Sequence, residues 1–451
     1  MGNKRWTVIG FLLGGLALGL ASCAGGGLPQ TSDNRIQQQP IAAMLERKSG
    51  RIVYMGNDGN IYVTDQGGVN RTAITADALL TDQFYHVYRA PTWSPDGEQI
   101  AFVGESGSIE EGTFNPSNVV LYTVSREGGI LTEAYNSDKS TTYYLYWSPD
   151  GRYVSFLSAD VNDLTAFDLQ AVASDGSGSP FVLDSARGAP IYHSWAPDGE
   201  SVLVHLDTAP SGGALSTLEL TTAEARPEQL PYSPAVFQAP AWSPDGNLML
   251  FATTGGGDQD QLVVTNAQGQ EARVITEYAG RVAFGWSPDG RYVTYITSED
   301  SPAAGGSGGI SGSLHLYDLQ RNETTTLRED QDAVAFFWSP NSNRLAYFTQ
   351  RVVEVEETGE RALILGLNIT PARGGESREL LQFLPPPGFL DMLRFFDQYQ
   401  HSTTIWSPDS QNLVIAMFDD QGRPVIVVMH ASGSLEPRGI AEGTLAFWSW
   451  K

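Results

Sequence analysis

Short runs of alternating apolar and polar residues, bounded by clusters of Gly, Pro, Asp and Ser, recur along most of this chain, and a period of two is the signature of strands. Such runs stand at residues 52–54, 60–64, 73–75, 100–102, 119–124, 153–156, 261–265, 273–276, 292–295, 314–317, 413–416 and 425–429. Between them, Trp-Ser-Pro-Asp-Gly occurs intact at 93–97, 147–151, 242–246 and 286–290. Variants begin at Trp195 (WAPDG), Trp338 (WSPNS) and Trp406 (WSPDS), and a remnant closes the sequence at Phe447-Trp448-Ser449-Trp450. Ser at the first turn position, Pro with its preset φ at the second, Asp at the third and Gly at the fourth describe a tight turn, so each motif is expected to join two strands of a hairpin. One stretch departs from the strand period. After the prolines at 385–387, Phe389, Met392, Leu393, Phe396 and Tyr399 recur at helical spacing, which predicts a short amphipathic helix over 389–399.

Successive Trp positions lie 42 to 68 residues apart, the period of a repeat array. Each repeat offers four strands. A four-stranded antiparallel unit that is apolar on both faces cannot bury them alone, whereas radial stacking covers both, with a large indole filling the wedge between neighbouring sheets. Seven internal motifs, plus one unit assembled from strands at 51–75 and at 443–450, predict an all-β, eight-bladed β-propeller over residues 50–451. The N- and C-terminal strands would share one blade and leave no open edge. The WSPDG turn followed by an apolar strand resembles the repeat of TolB-like propellers, and is similar to the propeller domains of the prolyl oligopeptidase and dipeptidyl peptidase IV families. That resemblance implies the fold and leaves function open. TolB itself, a soluble periplasmic protein with a separate α/β domain and a six-bladed ring, differs from the arrangement expected here.

The beginning of the chain follows another logic. Lys4 and Arg5 precede an apolar run at 6–20, then Leu20-Ala21-Ser22-Cys23, the layout of a secretory leader. The run is shorter than the roughly 20 residues a membrane-spanning helix needs. Leu20-Ala21-Ser22-Cys23 resembles the lipobox of bacterial lipoproteins, which implies cleavage before Cys23 and lipidation of its thiol. Cys23 is the single cysteine, so no internal disulfide or Cys-based metal site is available. Residues 1–22 are therefore read as a lipoprotein signal peptide and 23–49, rich in Gly, Pro and Gln, as a lipidated Cys and flexible tether. The lipid would make the membrane contact, on the periplasmic face of an outer membrane if there are two membranes, otherwise on the outer face of the plasma membrane. Net charge is −25, and losing Lys4 and Arg5 with the leader would take it to −27, which argues against nucleic acid as a partner.

Motifs that carry chemistry are sparse. Gly305-Gly306-Ser307-Gly308-Gly309 fits the letters of a serine-hydrolase elbow, but it sits in a low-complexity loop without the strand and helix that motif requires. No phosphate-cradling GxxxxGK[ST], HExxH or EF-hand spacing occurs, and no cofactor, metal ligand or catalytic residue is assigned. His86, His193 and His401 precede inner strands at unequal offsets from their Trp, which favours scattered positions; with His315 they would signal an enzyme only if they met one another and a carboxylate. The 389–399 helix should lie on the channel-mouth face, opposite the WSPDG turns. Phe389, Phe395, Phe396 and Tyr399 are the residues expected to bind a partner if accessible, or to pad the ring if buried. The sequence thus points to a tethered, monomeric, extracytoplasmic scaffold that binds another envelope protein or polymer. The alternative is a propeller enzyme of polysaccharide lyase or hydrolase type with a site at the channel mouth.

Overall fold

The computed structural model describes residues 49–188, 191–206, 213–219, 227–235, 238–299, 309–354, 359 and 361–451; the expected leader, Cys23 and nearly all of the expected tether lie outside them. The repeated turn has the geometry its residues dictate. After Trp93, the Gly97 amide donates to the Ser94 carbonyl at 2.9 Å with Gly97 at φ +73°. The Ser94 hydroxyl donates to Asp96 at 2.6 Å and accepts from the Gln99 amide at 2.9 Å, while the Ser94 amide donates to the Gln99 carbonyl at 2.9 Å. The same bonds recur in the turns that begin at Ser148, Ser243, Ser287 and Ser407. Where Ser342 and Ser410 replace the Gly, they hold the left-handed conformation at φ 56° and 61°. Their hydroxyls accept from the amides of Asp289 and Asn341, at 3.0 and 3.2 Å, so contacts to the preceding turn offset the backbone strain.

The hairpins assemble into all-β, propeller-like sheets. Three four-stranded antiparallel sheets run in simple order: Ser140–Trp147 to Phe181–Arg187, Ile191–Trp195 to Glu228–Gln229, and Ala241–Trp242 to Arg273–Tyr278. The unit of Phe84–Trp93, Gln99–Glu110, Thr113–Ser125 and Thr132–Ser137 gains a fifth strand, Leu79–Leu80. Two units expected to be separate share one seven-stranded sheet, because Glu323–Trp338 runs 16 residues unbroken from the outer edge of one to the inner edge of the next. Arg328 and Asp332, paired at 2.7 Å, brace that passage, and Gln331 at φ 29° turns its corner. The Trp406 unit has three strands plus a single bridge, Trp406 to Leu413, since the chain reaches Trp406 from helical turns and not from an extended strand. The predicted helix is two: α1, Pro387–Arg394, and α2, Phe396–Tyr399, broken at Phe395 with φ −119°.

The Trp side chains link one unit to the next. Each indole N–H of Trp93, Trp147, Trp286 and Trp406 donates to the carbonyl of the residue before the preceding unit's Trp: Phe447, Thr92, Ala241 and Phe337, at 2.9–3.4 Å. Trp195 reaches the Tyr146 carbonyl through Ser155, whose hydroxyl lies 2.9 Å from the indole nitrogen and 3.0 Å from that oxygen. The Trp93 bond joins the first complete unit to the end of the chain. The termini also pair directly: Ile52–Met55 lies antiparallel to Leu445–Trp448 within one four-stranded sheet. Ser449 there takes the role of a motif Ser, donating its amide to the Arg51 carbonyl at 2.7 Å and accepting the Arg51 amide on its hydroxyl at 2.9 Å.

Candidate functional site

The helical segment packs against the Trp-bearing strands of several units. Phe389 and Phe396 are fully buried, with Phe396 edge-on to Phe336 at 5.0 Å and Phe389 against Phe348 and Phe383. Further along, the Gln398 carbonyl accepts from the Tyr144 hydroxyl at 2.7 Å, the Asp397 carboxylate from the Ala239 amide at 3.0 Å, and the Ser402 carbonyl from the Thr92 hydroxyl at 2.6 Å. The Gln400 amide donates to the Phe284 carbonyl at 2.9 Å, so Gly285 beside it leaves no room for a Cβ, which would come 2.5 Å from Gln400 Oε1. One short stretch thereby touches the Trp-bearing segments of four units, those of Trp93, Trp147, Trp242 and Trp286.

Two inner strands deform to receive it. Ala90 and Tyr144, each three positions before its Trp, have φ of 53° and 46°, and the pairing slips beside both. Bulges of this kind re-aim side chains. Here they precede Thr92 and place Tyr144, the two hydroxyls that hold the segment.

Beneath the segment lies a buried aromatic chamber. Tyr144 meets Tyr399 edge-on at 5.2 Å; His193 sits 5.6 Å from Tyr144 and 5.7 Å from Tyr146; His401 stacks on Tyr146 at 6.0 Å. Burial, with His401 as a second cause, pushes the His193 imidazole down to about 3, and burial alone brings His401 down to about 4. Both rings are neutral at ordinary pH. The Ser155 hydroxyl has one proton for two acceptors, the Tyr146 carbonyl at 3.0 Å and His193 Nε2 at 2.8 Å. With that proton on the carbonyl bond, His193 carries its own proton on Nε2, and its partnerless Nδ1 is a bare acceptor. Asp397 goes the other way, since burial outweighs its amide hydrogen bonds and lifts its carboxyl to about 6.

On the turn side the chamber opens into a cavity of about 230 Å³ lined by Trp93, Pro95, Tyr146, Trp147, Pro149, His401, Ser402 and Trp450. His193 and His401 thus converge on Tyr146, which the sequence offsets did not suggest, because His401 comes from another unit of the chain. His86, bonded to Ser106 and Tyr88, and His315, between Thr297 and Thr326, lie elsewhere. Among the described residues no group of three His, Cys, Asp or Glu could hold a metal ion. Of the four aromatic residues singled out for partner binding, Phe389 and Phe396 are in the core, while Phe395 and Tyr399 are half-buried. Cys23 and all but Gly309 of the Gly305–Gly309 motif fall outside the described residues.

No family model matches the chain. A curated relative, the uncharacterized peptidase YuxL of Bacillus subtilis (strain 168), is 28% identical over 207 residues, which is 46% of this chain and 27% of the relative. The chain therefore spans about a quarter of that protein's length. Among solved structures it is similar to the dihydro-heme d1 dehydrogenase NirN in complex with DHE, at 15% identity and a TM-score of 0.51 over 93% of this chain and 78% of that one. It is also similar to a eukaryotic initiation factor, at 15% identity and 0.50 over 90% and 98%. TolB from Acinetobacter baumannii aligns at 15% identity and 0.37 over 81% and 82%. At such identities the likeness concerns the fold alone.

Proposed function

We propose that this chain is a lipid-tethered, extracytoplasmic, eight-bladed propeller that works as a non-enzymatic scaffold, binding another envelope protein or polymer. The observation that carries this reading is the axis itself: the chain's own residues 387–403 fill the place where a propeller can hold a substrate. Binding is then left to the faces and the rim. Eight Trp-strand ends, and a terminal pair that rebuilds the repeated turn between Ser449 and Arg51, support a ring of eight closed by both ends of the chain. Ser49 gives the direction a tether would take. Its hydroxyl accepts from the Asp409 amide at 3.1 Å, so the chain joins the disc on the turn side, and a tether from Cys23 would leave the opposite face turned away from the membrane.

In cells, Cys23→Ser is expected to release a folded protein from the membrane fraction, and crosslinking of the tethered form to capture a defined envelope component that the released form captures less. Membrane retention of Cys23→Ser after a salt wash overturns the anchor. The second reading is enzymatic, and the partial similarity to a peptidase favours it. Hydrolysis of peptide or polysaccharide substrates by the purified chain, lost in His401→Gln, would replace the scaffold.

A further inference from the structure

We infer that the hairpin tip formed by Leu79, Leu80 and Phe84, on the face opposite the repeated turns, is a docking site for a basic amphipathic segment of a partner protein. The inference deepens the scaffold reading and rests on it. Three of the nine large hydrophobic side chains exposed among the described residues fall within these six positions, at 54%, 46% and 60% exposure. Isolated exposed apolar residues need no explanation, but a cluster does.

The tip is built to project. Phe84–Trp93 is 10 residues long where Ile191–Trp195 has five, so the strand extends about 15 Å further from the turn side at roughly 3.3 Å per residue. Beside it the hairpin of Gln99–Glu110 and Thr113–Ser125 rises as well. The tip is also held in shape. The Thr81 hydroxyl donates to the Phe84 carbonyl at 2.9 Å and accepts its amide at 2.9 Å, and the Ile109 amide donates to the Gln83 carbonyl at 2.7 Å. Below, Tyr88 donates to Asp77 at 2.7 Å, and Tyr85 packs edge-on against Phe114 at 5.0 Å while donating to Glu105 at 2.9 Å. Apolar groups fixed on a rigid turn bind without the entropy cost of ordering it.

Charge decides what the tip accepts. Asp77, Asp82, Glu110 and Glu111 stand exposed around it. Between Arg71 and Arg126 the only Lys or Arg is Arg89, whose guanidinium is spent on Glu105 at 2.8 Å, and His86 is bonded to Ser106 and Tyr88. An acidic collar repels anionic lipid and a second copy of this acidic chain, and attracts Lys and Arg beside apolar residues.

The test uses the full mature chain and a labelled 14-residue amphipathic peptide of Leu and Lys, with its Leu/Glu counterpart. The Leu/Lys peptide should bind at low salt, weaken as salt rises, and bind about tenfold less tightly to L79S/L80S/F84S and to D82N/E110Q/E111Q, with melting temperatures unchanged. I130S, at an exposed apolar site elsewhere, should bind like the parent. Equal binding by the triple variants, equal binding of the Leu/Glu peptide, or a tip-dependent preference for self-association or phosphatidylglycerol vesicles overturns the inference. If the tip fails while crosslinks from other surfaces still capture one partner, the site is lost and the scaffold reading stands.

Discussion

At the residue scale, the repeated turn supplies its own internal control. The variant turn after Trp195 has Ala196 where the others have Ser, so its third-position carboxylate, Asp198, accepts only the Glu200 amide, and no hydroxyl stands ready for the Ser201 amide. Ala196→Ser should restore both bonds in a site already shaped for them, and raise stability by about 1 kcal/mol in urea unfolding. A loss would mean that this turn has closed around the methyl. Asp397 offers a second test. Its carboxyl, lifted to about 6 by burial, binds protons more tightly folded than unfolded, so the stability it contributes is present below about 3.8 and lost as pH rises through 6. Asp397→Asn, which keeps an acceptor for the Ala239 amide, is expected to melt higher than the parent at pH 7.5 and to lose that advantage near pH 4.5. The same gain at both pH values would exclude a charge effect. The Ala196 variant could be read from the sequence, but the setting of Asp397 could not, because a partner more than 150 positions away helps to make it.

At the element scale, the strands and turns could be read because each is a local statement: alternation sets the strand, and Ser-Pro-Asp-Gly sets the turn. The helical spacing of Phe389, Met392, Leu393, Phe396 and Tyr399 was equally local, and it predicted a helical segment that the structure breaks in two at Phe395. It could not say which surface receives the apolar side. Placing that side against the inner strands makes Phe389 and Phe396 core residues, so Phe389→Ala and Phe396→Ala should each cost about 3–5 kcal/mol. Phe395→Ala and Tyr399→Ala, at half-buried positions, should cost distinctly less in the same unfolding experiment. Equal costs at all four would mean that the segment packs as one unit and not by a single face. The unbroken Glu323–Trp338 strand escaped prediction for a related reason. Its middle, Arg-Glu-Asp-Gln-Asp, is polar enough to read as a loop, and it is held in the sheet by side-chain contacts, the Arg328–Asp332 pair and the Gln331 amide on the Ser313 hydroxyl among them, that the sequence pattern does not announce.

At the scale of the whole molecule, stability depends on how the two ends meet. Each indole bonded to the neighbouring unit fixes that unit's position, and the bond from Trp93 to the Phe447 carbonyl carries the series across the chain ends. The strand that bears Phe447 is held by backbone pairing from Ile52–Trp448 to Met55–Leu445, and Ser449 adds the amide and hydroxyl bonds to Arg51. Two changes separate the contribution of that side chain from that of the strand. Ser449→Ala removes the acceptor of the Arg51 amide and the donor to the Lys451 carbonyl but leaves the strand, so it should lower stability by about 1 kcal/mol and keep a single sharp transition. Deleting residues 443–451 removes Leu445, Ala446, Phe447 and Trp448, all buried, and exposes the edge of Ile52–Met55 together with the wedge Trp448 fills. An exposed apolar edge of that kind invites aggregation. The shortened chain should therefore lose cooperative melting or self-associate at concentrations where the intact chain stays dispersed. If it melts as sharply and as high as the intact protein, the terminal pairing contributes little to stability, and contacts between units, the indole bonds among them, must hold the units in place.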